Sequence, residues 1–262
     1  MNHIRLTSIP TDIPPSLCDL FAGADVYDSS CSREARVYSI ERDGGYFVKS
    51  AKAGSLAREA EMTRYFHGLG LGAEVMGYEA ANGRDWLCTR RVPGEDMTHA
   101  GYLAEPARLA RLWGEILRVL HEMPTAGCPG AGYLDQYLAL ATENYRTGHY
   151  DASHFPDSFG YRSAEEAFSV LEAGRHLLTA DTVVHGDYCL PNVILDGFRF
   201  SGFIDLGNSG VADRHIDLFW GAWSLAFNLG TEAYRETFFD AYGRERVDEE
   251  ALRVVAAAEV FG

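Results

Sequence analysis

Apolar and polar positions alternate in two stretches of the first third, "ARVYSI" (35–40) and "YFVKS" (46–50), separated by "ERDGG" with its Asp-Gly step. Period-two alternation on both sides of such a turn predicts a β-hairpin. The rhythm then changes in "GSLAREAEMTRYFHGL", where Leu56, Ala60, Tyr65 and Leu69 recur at roughly helical spacing and glycines close the run. "AEVMGYEA" and "WLCTRRV" flank the turn "ANGRD" and predict a second hairpin. Strand pair, helix, strand pair: residues 1–92 read as a small antiparallel-sheet lobe with one helix.

"RVPGED" interrupts the pattern with Pro and Gly and reads as a connector. Residues 93–262 beyond it read as a larger, mainly helical lobe, which makes the whole chain α+β and two-lobed. "EPARLARLWGEILRVLHEM" places Leu109, Leu112, Ile116, Leu117 and Leu120 on one stripe that stops before Pro124. Helical patterns follow at about 132–147, 163–178, 214–228, 231–242 and 248–260. "TVVHGD", "NVILD" and "RFSGFIDLG" are the exceptions and predict short strands, the last two joined by a turn at Asp196–Gly197. No internal repeat or low-complexity tract interrupts the chain.

Ionisable residues cluster where those strands end. In "VVHGDYCLPNVIL", Pro191 forbids a regular ladder, so Asp187 to Asn192 reads as a loop. Folding the following hairpin back carries Asp205 towards Asn192, giving an oxygen-rich corner of Asp187, Asn192 and Asp205. Asn and Asp oxygens suit hard Mg²⁺, and a free aspartate can orient an attacking hydroxyl, as phosphoryl transfer requires.

Composition narrows the reading. The net charge is −15, and residues 95–262 hold 26 Asp+Glu against 12 Lys+Arg. Such an excess repels nucleic acid and anionic membrane and attracts a cationic partner. Lys49 and Lys52 are the only lysines beside 21 arginines. An ammonium closing "YFVK" therefore invites a chemical explanation, since a compact point charge suits phosphate oxygens. Five widely spaced cysteines without a C-x-x-C pair argue against a disulfide framework and for a reducing, cytoplasmic setting. The N-terminus has no basic start and apolar run of a signal peptide, and the apolar stretch Phe219 to Leu229 is too short to span a bilayer.

His185-Gly186-Asp187, then Asn192, then Asp205-Leu206-Gly207 resembles the protein-kinase catalytic signature. "HGDYCLPNVIL", "RFSGFIDLG" and "GVADRHIDL" resemble more closely the aminoglycoside phosphotransferases, particularly the 3′-phosphotransferase branch that modifies kanamycin and neomycin. The resemblance runs from the first hairpin to the C-terminus. It implies a protein-kinase-like fold and transfer of the γ-phosphate of ATP or GTP to an aminoglycoside hydroxyl, giving antibiotic resistance. By the same resemblance Asp187 is the catalytic aspartate, Asn192 and Asp205 hold Mg²⁺, and Lys49, paired with Glu59, contacts the nucleotide phosphates. Phe47, on the strand face of Lys49, would stack on the purine, and backbone from Thr89 to Val92 would read its edge. His185 and Asp217 read as structural, Asp217 bracing the catalytic loop from a helix.

Two places depart from the family pattern. The nucleotide loop expected within "DSSCSREARVY" contains no glycine, which leaves Ser30 and Ser32 as phosphate donors. Asn208 stands where the family carries arginine, and Gly262 extends the C-terminus by one residue beyond the acidic-apolar ending. That ending points to Glu259 and Phe261 beside the acceptor, with Asp151 and Asp157 as further contacts for ammonium groups. A kinase for choline, a macrolide, homoserine or a glycated amine is the rival reading. A non-catalytic nucleotide-binding module is a third, opposed by the joint presence of Lys49, Glu59, Asp187, Asn192 and Asp205.

Overall fold

The computed structural model describes residues 4–8, 10–31, 34–151 and 160–262. The chain begins with β1 (Ile4–Arg5), α1 (Pro15–Phe21), β2 (Asp25–Asp28), β3 (Ala35–Glu41) and β4 (Tyr46–Lys52). It continues through α2 (Ala57–Gly68), β5 (Val75–Ala81), β6 (Arg84–Arg90) and β7 (Glu95–Asp96). Helices α3 (Ala100–Leu103), α4 (Pro106–His121), α5 (Tyr133–Thr147) and α6 (Ala164–Gly174) lead to β8 (Thr182–Val184). Then come β9 (Val193–Asp196), β10 (Arg199–Phe203), β11 (Gly210–Ala212), α7 (His215–Leu229), α8 (Arg235–Tyr242) and α9 (Glu249–Glu259).

Two compact units result: Met1–Gly94 with Ile194–Gly207, and Glu95–Val193 with Asn208–Gly262. The first is built on an antiparallel sheet ordered β1-β2-β3-β4-β6-β5. Both expected hairpins are present. Asn82 and Gly83 hold positive φ values of 54° and 75°, the left-handed pair that the Asn-Gly turn favours. Ile40, Val48, Trp86 and Cys88 on one sheet face pack with Phe21 of α1. This helix and the edge strands β1 and β2 go beyond the single-helix, two-hairpin reading. On α2 the buried face runs through Glu59, Met62, Thr63 and Phe66, while Leu69 is exposed. Leu56 and Ala60 of the expected stripe are buried, and towards the C-terminal end the buried face passes to Met62, Thr63 and Phe66 in place of Leu69.

In residues 194–207, β9 and β10 form the hairpin turned by Gly197 and Phe198, with φ values of 55° and 62°. The Phe203 amide donates to the Leu71 carbonyl at 2.8 Å, and the Phe203 ring meets Phe66 edge-on. The second unit is helical. Its core gathers Leu138, Leu171, Ile216, Val255 and Phe261 among others. Helix α4 buries Leu109, Trp113, Ile116, Leu117 and Leu120, a stripe close to the expected one, and β8 pairs with β11.

Candidate active site

In the first unit the sheet register fixes the cationic end. Lys49 lies on β4 opposite Val37 of β3 and Leu87 of β6, so its stem is held from both sides. Its Nζ donates to Glu59 Oε2 at 2.8 Å and to Asp205 Oδ1 at 2.6 Å. Burial alone would lower the Lys49 pKa, but the two carboxylates outweigh it and hold the ammonium above the ordinary lysine value. Asp205 follows β10 with φ 59°, a left-handed conformation that costs a non-glycine residue energy and marks a constrained position. Buried Asp85 receives the Leu56 amide at 2.9 Å and so ties down the start of α2, the helix that carries Glu59.

The remaining nucleotide-side candidates are distributed along the same sheet. Phe47 stands opposite Thr89, with the Arg91 guanidinium 5.4 Å from its ring centroid. Arg91 is held there by Glu41 and by Ser39 Oγ. Val92 packs where a side chain on Gly202 would touch it, at 3.1 Å. Ser30, read from sequence as a phosphate donor, closes its own loop instead. Its amide donates to Asp28 and its Oγ accepts the Val37 amide at 2.9 Å. Ser32 lies outside the described residues.

In the second unit the loop after β8 is pinned from below. The His185 and Gly186 amides donate to Asp217 Oδ2 and Oδ1 at 2.7 and 2.8 Å, so Asp217 on α7 is the brace its sequence context suggested. Gly186 has φ 80°, and a Cβ there would lie 1.9 Å from the Asn208 carbonyl oxygen, so only glycine fits. Pro191 sits in a single 3₁₀ turn, Leu190 to Asn192. The Asn192 Nδ2 donates to the Asp187 carbonyl and to Asp187 Oδ2, both at 2.9 Å. That bond orients the Asp187 carboxylate and leaves the amide oxygen of Asn192 as an acceptor.

Sequence reasoning missed what stands behind this brace. His121 on α4 is fully buried, with Nε2 3.0 Å from Asp217 Oδ2 and Nδ1 2.9 Å from the Tyr242 hydroxyl. Burial pushes the His121 pKa down, so the neutral ring donates from Nε2 and accepts from Tyr242, itself raised to about 12 by burial. A buried histidine on an apolar stripe was the available signal.

Glu259, at the end of α9, accepts from the Tyr137 hydroxyl at 2.8 Å and from the Trp220 side chain. Burial lifts its pKa to about 7, the two donors oppose the rise, and the charge of Asp187 adds to it. Phe261, expected beside the acceptor, is instead fully buried. Its ring meets Tyr145, Tyr150 and Phe168 edge-on, and its carbonyl accepts from Asn144 at 2.7 Å. It anchors the C-terminal turn that presents Glu259. Asp151 is exposed just beyond α5, and Asp157 lies outside the described residues.

The first unit thus holds a lysine locked between two carboxylates, and the second an aspartate oriented by an asparagine five residues on, the residue types that phosphoryl transfer uses. Comparison with known proteins agrees. Residues 32–255 match the phosphotransferase enzyme family. A probable aminoglycoside 3'-phosphotransferase of Lactococcus lactis subsp. lactis is 44% identical over 249 residues, covering 95% of each chain. The streptomycin 3''-kinase of Streptomyces griseus is 36% identical over 223 residues, covering 79% of each. Among solved structures, the aminoglycoside-3'-phosphotransferase of type VIII superimposes with a TM-score of 0.79 at 27% identity, over 94% of this chain and 97% of that one. With fold, signature residues and relatives in agreement over nearly its whole length, the chain belongs to the phosphotransferase enzyme family.

Proposed function

We propose that this protein is an aminoglycoside O-phosphotransferase that moves the γ-phosphate of ATP or GTP to a hydroxyl of an antibiotic such as kanamycin or neomycin. The activity rests on relatives that carry that name, one aligned over 95% of each chain and another over 68%. The observation that carries the chemistry is the Lys49–Glu59 and Lys49–Asp205 pairing, which sets a fixed cation where a phosphate can replace one carboxylate. The first unit would bind the nucleotide, with Lys49 on its phosphates, Phe47 beside the purine and the Thr89 to Val92 backbone at its edge. The second would supply Asp187, which accepts the hydrogen bond of the acceptor hydroxyl and orients it for in-line attack.

Asn192 and Asp205 offer the hard oxygen donors that Mg²⁺ takes, and a phosphate-bound Mg²⁺ needs only one or two such side chains beside phosphate and water. The ion, when bound, neutralises charge on the phosphates. Glu259 and Asp151 would pair with acceptor ammonium groups. No helix among the described residues is long and apolar enough to cross a membrane, and we place the enzyme in the cytoplasm, where the nucleotide is available.

Asp187→Ala should lower kcat for kanamycin by roughly a thousandfold or more while leaving the nucleotide Kd within about threefold. Near-normal turnover by that variant would overturn the assignment of Asp187. An ADP-release assay with kanamycin, streptomycin and choline as acceptors tests the substrate class, and signal from choline alone would reject it.

A further inference from the structure

Helix α7 carries two apolar faces: one lies in the core, and the other starts against the core at Trp220 and ends exposed at Phe227. Gly221, Ser224 and Leu225 are buried. The other face bears Trp220, Trp223 and Phe227, spaced at three and four residues and so aligned along one side of the helix. Their rings are in contact. Trp220 meets Trp223 edge-on at 5.5 Å, and Trp223 stacks on Phe227 at 5.1 Å with only 9° between the planes. Phe227 is 70% exposed, the most exposed large apolar side chain among the described residues.

Trp220 and Trp223 are half-buried and Phe227 is exposed, so the row brings apolar area into water towards its outer end, where a ligand would cover it. The inner end of the row identifies one. The Trp220 side chain donates to Glu259, the carboxylate that senses the charge of Asp187. The outer end opens into a recess of about 700 Å³ bounded by Trp223, Phe227, Phe239, Leu252, Arg235 and Glu249. Arg235 is neutralised there by Glu249 at 2.7 Å and Glu236 at 3.2 Å. That volume is within the range for small-molecule sites. The chair-shaped rings of sugars offer C–H faces to aromatic planes, and ammonium groups are drawn to the negative face of an indole.

We propose that Trp220, Trp223 and Phe227 form a stacking platform for the rings of the acceptor, running outward from Glu259, and that they set which acceptors the enzyme takes. The proposal rests on the aminoglycoside reading above. It gives the recess, whose charged lining is balanced between Glu232 and Glu249 on one side and Arg235 and Arg253 on the other, an aromatic wall: the reacting ring meets Glu259, and the rings further out lie on aromatic planes.

The test separates the aromatic faces from mere bulk. Trp223→Leu and Phe227→Ala should each raise the KM for kanamycin roughly three- to tenfold, leave the nucleotide KM within about twofold, and act similarly on acceptor Kd. Trp223→Phe should restore most of the loss, which a purely steric role would not predict. Trp86 and Trp113 are fully buried, so a change in tryptophan emission on titrating kanamycin should come from Trp220 and Trp223 and shrink in Trp223→Phe. Wild-type turnover of kanamycin with an unchanged KM in both Trp223→Leu and Phe227→Ala overturns the platform alone. No wild-type turnover with any aminoglycoside overturns the functional reading and the platform with it.

Discussion

A carboxyl that folding buries beside Tyr137 and Trp220 gives up its proton later than it would in water, and Glu259 does so only at about 7. Between the ordinary value of 4.5 and about 7, the folded state therefore holds a proton that the unfolded state has released. Stability from this residue is complete below that ordinary value and is lost as pH rises through about 7. Glu259→Gln removes the titration, so the Tm advantage of the variant over wild type should grow from about pH 5 to about pH 8. Parallel Tm curves across that range would show that Glu259 does not carry the shift. At this scale the sequence told most where spacing alone defines the partner, as for Asp187 with Asn192 and Lys49 with Glu59. It told least for Phe261 and Ser30. An aromatic near a chain end and a serine in a loop have the same local appearance whether they touch a ligand or the protein itself.

Between elements, the loop that carries Asp187 is held by a relay that crosses three helices. Asp217 on α7 receives the loop amides, His121 on α4 donates to Asp217, and Tyr242 on α8 donates to His121. Every polar atom in the relay is buried and bonded, so removing one member takes a partner from each of its neighbours. His121→Leu should cost about 2–4 kcal/mol in stability, from the unpaired Tyr242 hydroxyl and the weakened support of a buried charge. It should also lower kcat more than either KM, because the loop amides and Asp187 lose their fixed position. A lowered Tm with an unchanged kcat would make the relay purely structural. The variant should also be less acid-sensitive than wild type. The depressed His121 pKa means that wild-type stability falls as pH drops through the ordinary histidine value of 6.5. Sequence could not show this relay, since His121 and Asp217 are separated by 96 residues. Helix positions and the second hairpin were legible because periodicity and Asn-Gly chemistry are local. On α2 the buried Leu56 and Ala60 were legible, whereas Met62, Thr63 and Phe66 were not, because Tyr65 and Leu69 mark a neighbouring stripe. Nor were α1 and the edge strands, whose few apolar residues fall in no regular period.

Charge separates the two units more sharply than any single residue does. The first holds 14 Asp+Glu against 12 Lys+Arg, and the second 24 against 11, a net of −2 against −13. An ATP anion gains nothing from the second unit's field, whereas an acceptor with several ammonium groups is attracted by all of it. Such long-range attraction is screened by salt, with a Debye length of about 10 Å at 0.1 M and about 3 Å at 1 M. Bidentate contacts and stacked rings are screened far less. Raising potassium chloride from about 50 mM to about 500 mM should therefore increase the kanamycin KM on the order of tenfold, while the nucleotide KM at saturating Mg²⁺ moves by less than about threefold. Acceptors with fewer amines should respond less, which ties the effect to acceptor charge rather than to general weakening of the enzyme. Equal salt dependence for both substrates would mean that the acidic surface serves solubility alone. A salt-insensitive kanamycin KM would instead place nearly all acceptor affinity in short-range contacts, of which Glu259 and the aromatic row of α7 are the candidates.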